Sequence, residues 1–183
     1  YLPLGSRAVD PFIQAITTAQ DSDPVVVINT LNGDSNIAFF SALNQAGLVG
    51  NPNVSVLSLS VSEEEAIAIG ANNIQGSFAS WSYFQSLDTE SSKAFGARFL
   101  QRYGFHRVIN DPAEAGYSLI YLWAKAAETA NSTDPTKVRQ ALIGTRFEAP
   151  QGSLTLMPSQ HLRKGSLLGR AEPNGNFIIQ EDF

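Results

Sequence analysis

The sequence predicts an α/β fold: a parallel sheet with flanking helices, followed by a C-terminal β-hairpin region. Three observations lead there. Residues 10–84 run helix, strand, helix, strand, helix, strand. The run Val25-Val26-Val27-Ile28 is β-branched without a polar break, and from Phe147 onward the apolar period falls to two. An unbroken apolar strand marks burial on both faces of a parallel sheet, whereas alternation marks an antiparallel pair with one wet face.

The elements follow in order. Asp10-Pro11 suits a helix start, because proline takes a first-turn position whose N–H needs no partner. Phe12, Ile13, Ile16 and Ala19 then share one face. Val25–Ile28 is expected as a strand buried on both sides, ending in the polar stretch Asn29–Asn36. A second helix carries Ile37, Phe40 and Leu43 and stops at Gly47, a good C-terminal glycine. After the turn Asn51-Pro52-Asn53 comes a strand over Val54–Leu59. Ser62 and Glu65 have capping-box spacing and open a short helix that ends at Gly70. Ile74–Phe84 reads as a third, aromatic-rich strand. Right-handed crossovers turn this succession into a parallel sheet with helices on both faces.

The second half changes character. A helix starting at Asp88 or Thr89 buries Phe95, Phe99 and Leu100 and ends at Gly104. Residues 112–130 form the longest helix, apolar almost all round through Tyr117, Leu119, Ile120, Tyr121, Leu122 and Trp123. Such a helix has to be covered on every side, and this chain has little left to cover it with. Asp134-Pro135 opens a last helix through Leu142, Ser153–Leu156 and Phe177–Ile179 are strands, and Pro173–Asn176 is a turn. The expected organisation is an α/β lobe over 1–104, helices over 105–146 and C-terminal strands over 147–183.

Composition excludes several classes. With 183 residues, 43% hydrophobic and 16% charged, the chain is globular rather than disordered. Its net charge of -5 and scattered basic residues leave no stripe to neutralise phosphates, so no nucleic-acid partner is expected. No apolar run reaches the roughly 18 residues that a bilayer span needs. Cysteine is absent, so there is neither a disulfide nor a thiolate site, a composition at ease in an oxidising compartment. The opening Tyr1-Leu2-Pro3-Leu4 reads as a chain that begins in mid-domain.

Catalytic patterns are missing. His106 and His161 are far apart with no partner at metal-ligand spacing, and neither a G-x-S-x-G elbow nor a Gly-rich phosphate loop occurs. No catalytic residue, metal or cofactor is therefore expected. Glu63-Glu64-Glu65 could do acid–base work, but acids in a helix's first turn also stabilise its positive end. The tract Asn29–Asn36 carries more information, because it sits where a buried parallel strand gives way to a helix. Ligands of open α/β sheets bind outside the carboxyl ends of the strands. Gly33 lets a ligand approach the backbone and Asn32 offers both donor and acceptor. Asp34 or Ser35 also suits a helix cap. Ser58, Ser60 and Ser62 hold the equivalent place one strand along.

Five blocks, "NTLNGDSNIAFFSALNQAGL", "SLSVSEEE", "GSFASWSYFQSLDT", "DPAEAGYSLIYLWAKAAE" and "FEAPQGSLTL", resemble in order the urea and short-chain amide binding proteins. These are type I periplasmic solute-binding proteins of the branched-chain amino-acid receptor superfamily, and the closest likeness is to the urea-binding component of ABC transporters. The resemblance spans nearly the whole chain. It implies the C-terminal portion of a two-lobed clamp, with 1–104 in its second lobe and the helices of 105–146 packed on a first lobe. It also implies a periplasmic or extracytoplasmic place, delivery of ligand to ABC membrane subunits, and no catalysis. The ligand would be urea or a short-chain amide, or less readily a branched-chain amino acid. A sensor domain of an amide-responsive regulator or receptor kinase is the alternative.

Transferred by position, Leu31, Asn32, Gly33 and Asp34 face the cleft, as do Ser60, Ser62 and Glu63 with Val61 between them, and Tyr83 and Trp81 lie near cleft or hinge. A small neutral ligand needs a few fixed donors and acceptors in a dry pocket. Asn32, Ser60 and Ser62 supply hydrogen bonds, and Asp34 or Glu63 would accept from an NH2 group. The uncovered face near Trp123, Tyr117 and Tyr121 should drive self-association.

Overall fold

The computed structural model describes residues 2–183. Helix α1 (Asp10–Gln20) leads into strand β1 (Val25–Asn29), α2 (Ser35–Gln45), β2 (Val54–Ser58), α3 (Glu63–Ile69), α4 (Ala71–Ile74) and β3 (Phe78–Trp81). Helices α5 (Glu90–Tyr103), α6 (Asp111–Ala130) and α7 (Pro135–Leu142) follow. Strands β4 (Arg146–Ala149), β5 (Gly152–Leu156), β6 (Leu162–Arg163), β7 (Leu167–Ala171) and β8 (Phe177–Asp182) complete the chain. The main sheet has the order β1-β2-β3-β7-β8, and β4-β5-β6 form a small sheet of their own.

β1, β2 and β3 are parallel as the helix–strand succession requires, with Asn29 opposite Ser58 and Ser58 opposite Ala79. The sheet is nevertheless mixed. β7 runs antiparallel beside β3, Ala79 facing Gly169, and β8 closes the hairpin. β7 was not legible as a strand because Leu-Leu-Gly-Arg-Ala neither alternates nor avoids glycine. Its glycine is there for contact: a Cβ on Gly169 would meet ring atoms of Phe84 at 2.7, 2.9 and 3.1 Å. Phe84 in turn stacks on Phe177 of β8, ring centroids 5.1 Å apart.

Three local expectations need correction. β1 is not buried on both sides, since Val26 and Ile28 are 67% and 57% exposed. β1 is the terminal strand of the sheet, and that face of it is uncovered. The third strand is shorter than Ile74–Phe84. Ile74 closes α4, Gly76 turns the chain at φ 80°, and residues 82–87 leave the sheet after Trp81. In α2 the buried side carries Phe39, Phe40 and Leu43, while Ile37 is exposed.

Three apolar clusters hold the molecule. The largest joins α1, α2, α3 and the main sheet through Phe40, Leu43, Val56, Val61, Phe84 and Phe177. A second groups Tyr83, Phe95 and Ile109. The third packs Leu122 of α6 on Ala149 and Leu154 of the small sheet. α6 points Glu114, Ser118, Leu122 and Ala126 inward at four-residue spacing, one helical stripe. Leu119, Ile120, Tyr121 and Trp123 stay outside, between 46% and 67% exposed. Its all-round apolarity is therefore partly uncovered here, as the sequence suggested.

Candidate functional site

Parallel pairing of β1 with β2 brings the two polar loops that follow them side by side. The Leu59 N–H donates to the Asn29 carbonyl at 3.1 Å, and the Ser60 hydroxyl donates to the Leu31 carbonyl. Leu31, Asn32, Gly33, Asp34 and Ser60 thus gather at one end of the sheet. Beneath them lies a buried amide network. Asn29 Nδ2 donates to Asn36 Oδ1 at 2.8 Å and to Ser58 Oγ at 3.0 Å. Asn29 Oδ1 accepts from the Leu31 N–H at 3.0 Å, and Asn36 Nδ2 donates to the Leu31 carbonyl at 2.9 Å. A buried network with its groups satisfied fixes one loop shape rather than several. Asn29, Asn36 and Ser58 were not singled out as shaping the loop, although an amide closing a β-branched strand was a visible sign.

The loop they hold presents its polar atoms outward. Gly33 sits at φ 61°, a left-handed conformation open to glycine, and nothing lies within 4 Å of where its Cβ would be. Asn32 is exposed and bonds only weakly to the Thr30 carbonyl, at 3.4 Å. Asp34 occupies the cap position of α2 without a side-chain capping bond, so its carboxylate remains exposed to accept. Leu31 and Asn32 also line a cavity of about 580 Å³ between α1 and β1, with Leu2, Phe12, Asn29 and Ser35 among its other walls. Gly33 and Asp34 do not line it, nor do Ser60, Ser62, Glu63 and Tyr83.

Those other residues are held differently. The Trp81 indole N–H donates to the Val61 carbonyl at 2.7 Å, tying the loop after β2 to the end of β3. Ser62 is fully buried; its N–H donates to the Glu65 carboxylate at 2.9 Å, as the capping-box spacing foretold, and its hydroxyl donates to the same carboxylate at 2.6 Å. Glu63 is 2% exposed. Its Oε1 accepts from the Gln85 N–H at 2.6 Å, and its Oε2 has no partner. Burial pushes this carboxyl up to about 7, the negative charges of Glu65 and Asp111 add to the rise, and the bond from Gln85 works against it. Tyr83 is fully buried, edge-on to Phe95, with the Ser92 hydroxyl 3.5 Å from its own. Burial pushes that phenol up to about 12.

Two further buried acids were not anticipated. Asp111, on the first turn of α6, accepts from the Ser82 N–H at 2.9 Å. Glu114 is completely buried, bonded by Ser118 at 2.5 Å and by the Gln151 amide; burial holds its carboxyl above the usual range. Glu114 four residues before Ser118, inside an otherwise apolar helix, was the available signal. Among the described residues no three His, Asp or Glu side chains are grouped to hold a metal ion, and no helix is long and apolar enough to cross a membrane.

Comparison with known proteins bears on this arrangement. A solute-binding protein of an ABC transporter from Rhodopseudomonas palustris, solved with 4-hydroxybenzoate, is 26% identical, with a TM-score of 0.80 over 100% of this chain and 50% of that one. Another, from Rhodopseudomonas palustris HaA2 with p-hydroxybenzoic acid, is 25% identical with a TM-score of 0.83, covering 99% and 50%. A curated relative, the limonene hydroxylase of Geobacillus stearothermophilus, is 32% identical over 111 residues, 61% of this chain but 20% of that protein. The chain thus spans about half the length of these solved structures and a fifth of the curated relative. Both solved relatives are solute-binding proteins of ABC transporters. The family model for the periplasmic binding protein domain matches residues 1–182, and the chain belongs to that family.

Proposed function

We propose that this chain forms one side of a non-catalytic clamp for a small polar solute, urea or a short-chain amide, delivered outside the cytoplasm to an ABC importer. The carrying observation is the loop pair at the ends of β1 and β2, shaped by the Asn29–Asn36–Ser58 network. Its exposed polar side chains are the Thr30 hydroxyl, the Asn32 amide and the Asp34 carboxylate, and neither loop contains Lys, Arg or His. Groups that accept hydrogen bonds suit a ligand that presents N–H2 donors. Leu31, Gly33 and Ser60 complete the contact set in this reading, while the buried Ser62, Glu63 and Tyr83, which the sequence placed at the cleft, support it from behind. Solute capture needs the opposing lobe, so that closure excludes water.

A second reading has its own support. Two relatives at 25% and 26% identity hold hydroxybenzoates, and the cavity beside β1 is walled largely by apolar side chains. A carboxylate ligand in that cavity, however, would find no cation among its walls to offset the charge. Emission from Trp81, tied to Val61, reports on the loop after β2. With the clamp complete, acetamide should change that emission, and Asp34→Asn or Ser60→Ala should weaken its binding by roughly tenfold, as loss of one charged or neutral hydrogen bond does. Unchanged affinity in both variants would remove these loops from the site.

A further inference from the structure

Residues Ile109, Asn110 and Asp111 are each tied across to the sheet lobe by a polar contact. The Ile109 N–H donates to Gln85 Oε1 at 2.7 Å, Asn110 Nδ2 donates to Glu64 at 3.1 Å, and Asp111 accepts from the Ser82 N–H at 2.9 Å. Gln85 is the middle of the chain, because its own N–H donates to Glu63 at 2.6 Å. Glu63 therefore anchors the crossing segment 82–87, and that segment anchors the start of α6. We infer that Glu63, Gln85 and Asp111 form a proton-operated joint, closed while Glu63 carries a proton and loosened when it ionises.

The geometry leaves the charged form of Glu63 poorly supported. Oε2 is shut off from water and has no donor. The groups that act on it are negative or neutral: Glu65 from its own helix, Asp111 from α6, and the Gln85 N–H from the crossing segment. Tyr83, also on that segment, feels both Glu63 and Glu114, which adds a buried neutral phenol and another acid to the surroundings. No cation is among them. A proton on Oε2 leaves Oε1 free to keep the bond from Gln85, so protonation relieves the charge without breaking the anchor. The carboxyl's midpoint near 7 puts the change at neutral pH. The sign follows from linkage: a folded-state midpoint above the unfolded one stabilises the closed joint below the unfolded value, and this is lost as pH rises through about 7.

The test follows the Glu63 carboxyl by carbon NMR in the full chain, with amide hydrogen-exchange protection of Ser82, Gln85 and Ile109. The carboxyl is expected to titrate near 7. Protection at Gln85 and Ile109 should fall tens-fold between about pH 5 and about pH 8, after correction for intrinsic exchange. In Glu63→Gln, which keeps the acceptor and cannot ionise, protection should be flat over the same range. Asp111→Asn should move the Glu63 midpoint down, giving a second variant if the first does not fold. A Glu63 carboxyl titrating in the ordinary carboxylate range overturns the joint, and so does a normal midpoint shift with unchanged protection at Gln85 and Ile109.

Discussion

Gly169→Ala probes the close packing of the antiparallel hairpin against Phe84. The new methyl would stand 2.7, 2.9 and 3.1 Å from three atoms of the Phe84 ring, all inside ordinary carbon–carbon contact. The ring has nowhere to go: Phe84 is fully buried and lies flat against Phe177, which is 1% exposed. Relief must come from moving β7 away from β3 or from forcing Phe84 off its rotamer. Overpacking of this kind costs about 1–3 kcal/mol, and the rigidity of both neighbours places this case in the upper part of that range. Urea unfolding followed by circular dichroism reads it directly, as a lower midpoint at unchanged slope. Pairing it with Phe84→Leu should recover part of the loss, since the two sites share one contact. A destabilisation below about 0.5 kcal/mol, or losses that simply add in the double variant, would refute the packing of Gly169 on Phe84.

Other expectations concern the polar groups. Moving the Glu63 carboxyl from 4.5 to about 7 corresponds to about 3 kcal/mol, present below the lower value and lost as pH rises through the upper one. Unfolding midpoints across pH should show the native chain losing this stability relative to Glu63→Gln, which cannot ionise, as pH rises; a pH-independent difference contradicts it. Asn29→Ala strands the Leu31 N–H and takes one partner each from Asn36 and Ser58. It should cost about 2–4 kcal/mol in chemical denaturation, and a loss within experimental error would mean that the network does not hold the loop. Ile120→Ser with Trp123→Ser removes exposed apolar surface from α6. Sedimentation should show less self-association than for the native chain, and a native chain already monomeric at high concentration would remove that face as an interaction surface.

What could be read from the sequence follows its physical signals. Helix starts were visible: Ser62 with Glu65 and Asp134-Pro135 are caps that the structure has, and Asp10-Pro11 marks the start of α1, although Asp10 lies inside the helix with Val9 at the cap position. Parallel order followed from strand–helix alternation. β7 was hidden because its pattern answers to Phe84, a residue far away in sequence, and not to its own neighbours. The exposed face of β1 was hidden for a related reason, since composition tells how apolar a strand is but not whether it lies at a sheet's end. In the candidate site, the exposed loop residues Asn32, Gly33 and Asp34 were legible from turn chemistry. Asn29, Asp111 and Glu114 were not, because a buried polar residue looks like any other polar residue until its partner is known.

The most direct measurement is calorimetric titration of the protein with both sides of its clamp present, against urea, acetamide and 4-hydroxybenzoate in turn. Saturable one-to-one heat with urea or acetamide, reduced in Asp34→Asn, is the result expected for a site of acceptors without a cation. Heat with 4-hydroxybenzoate and silence with both N–H donors would contradict it.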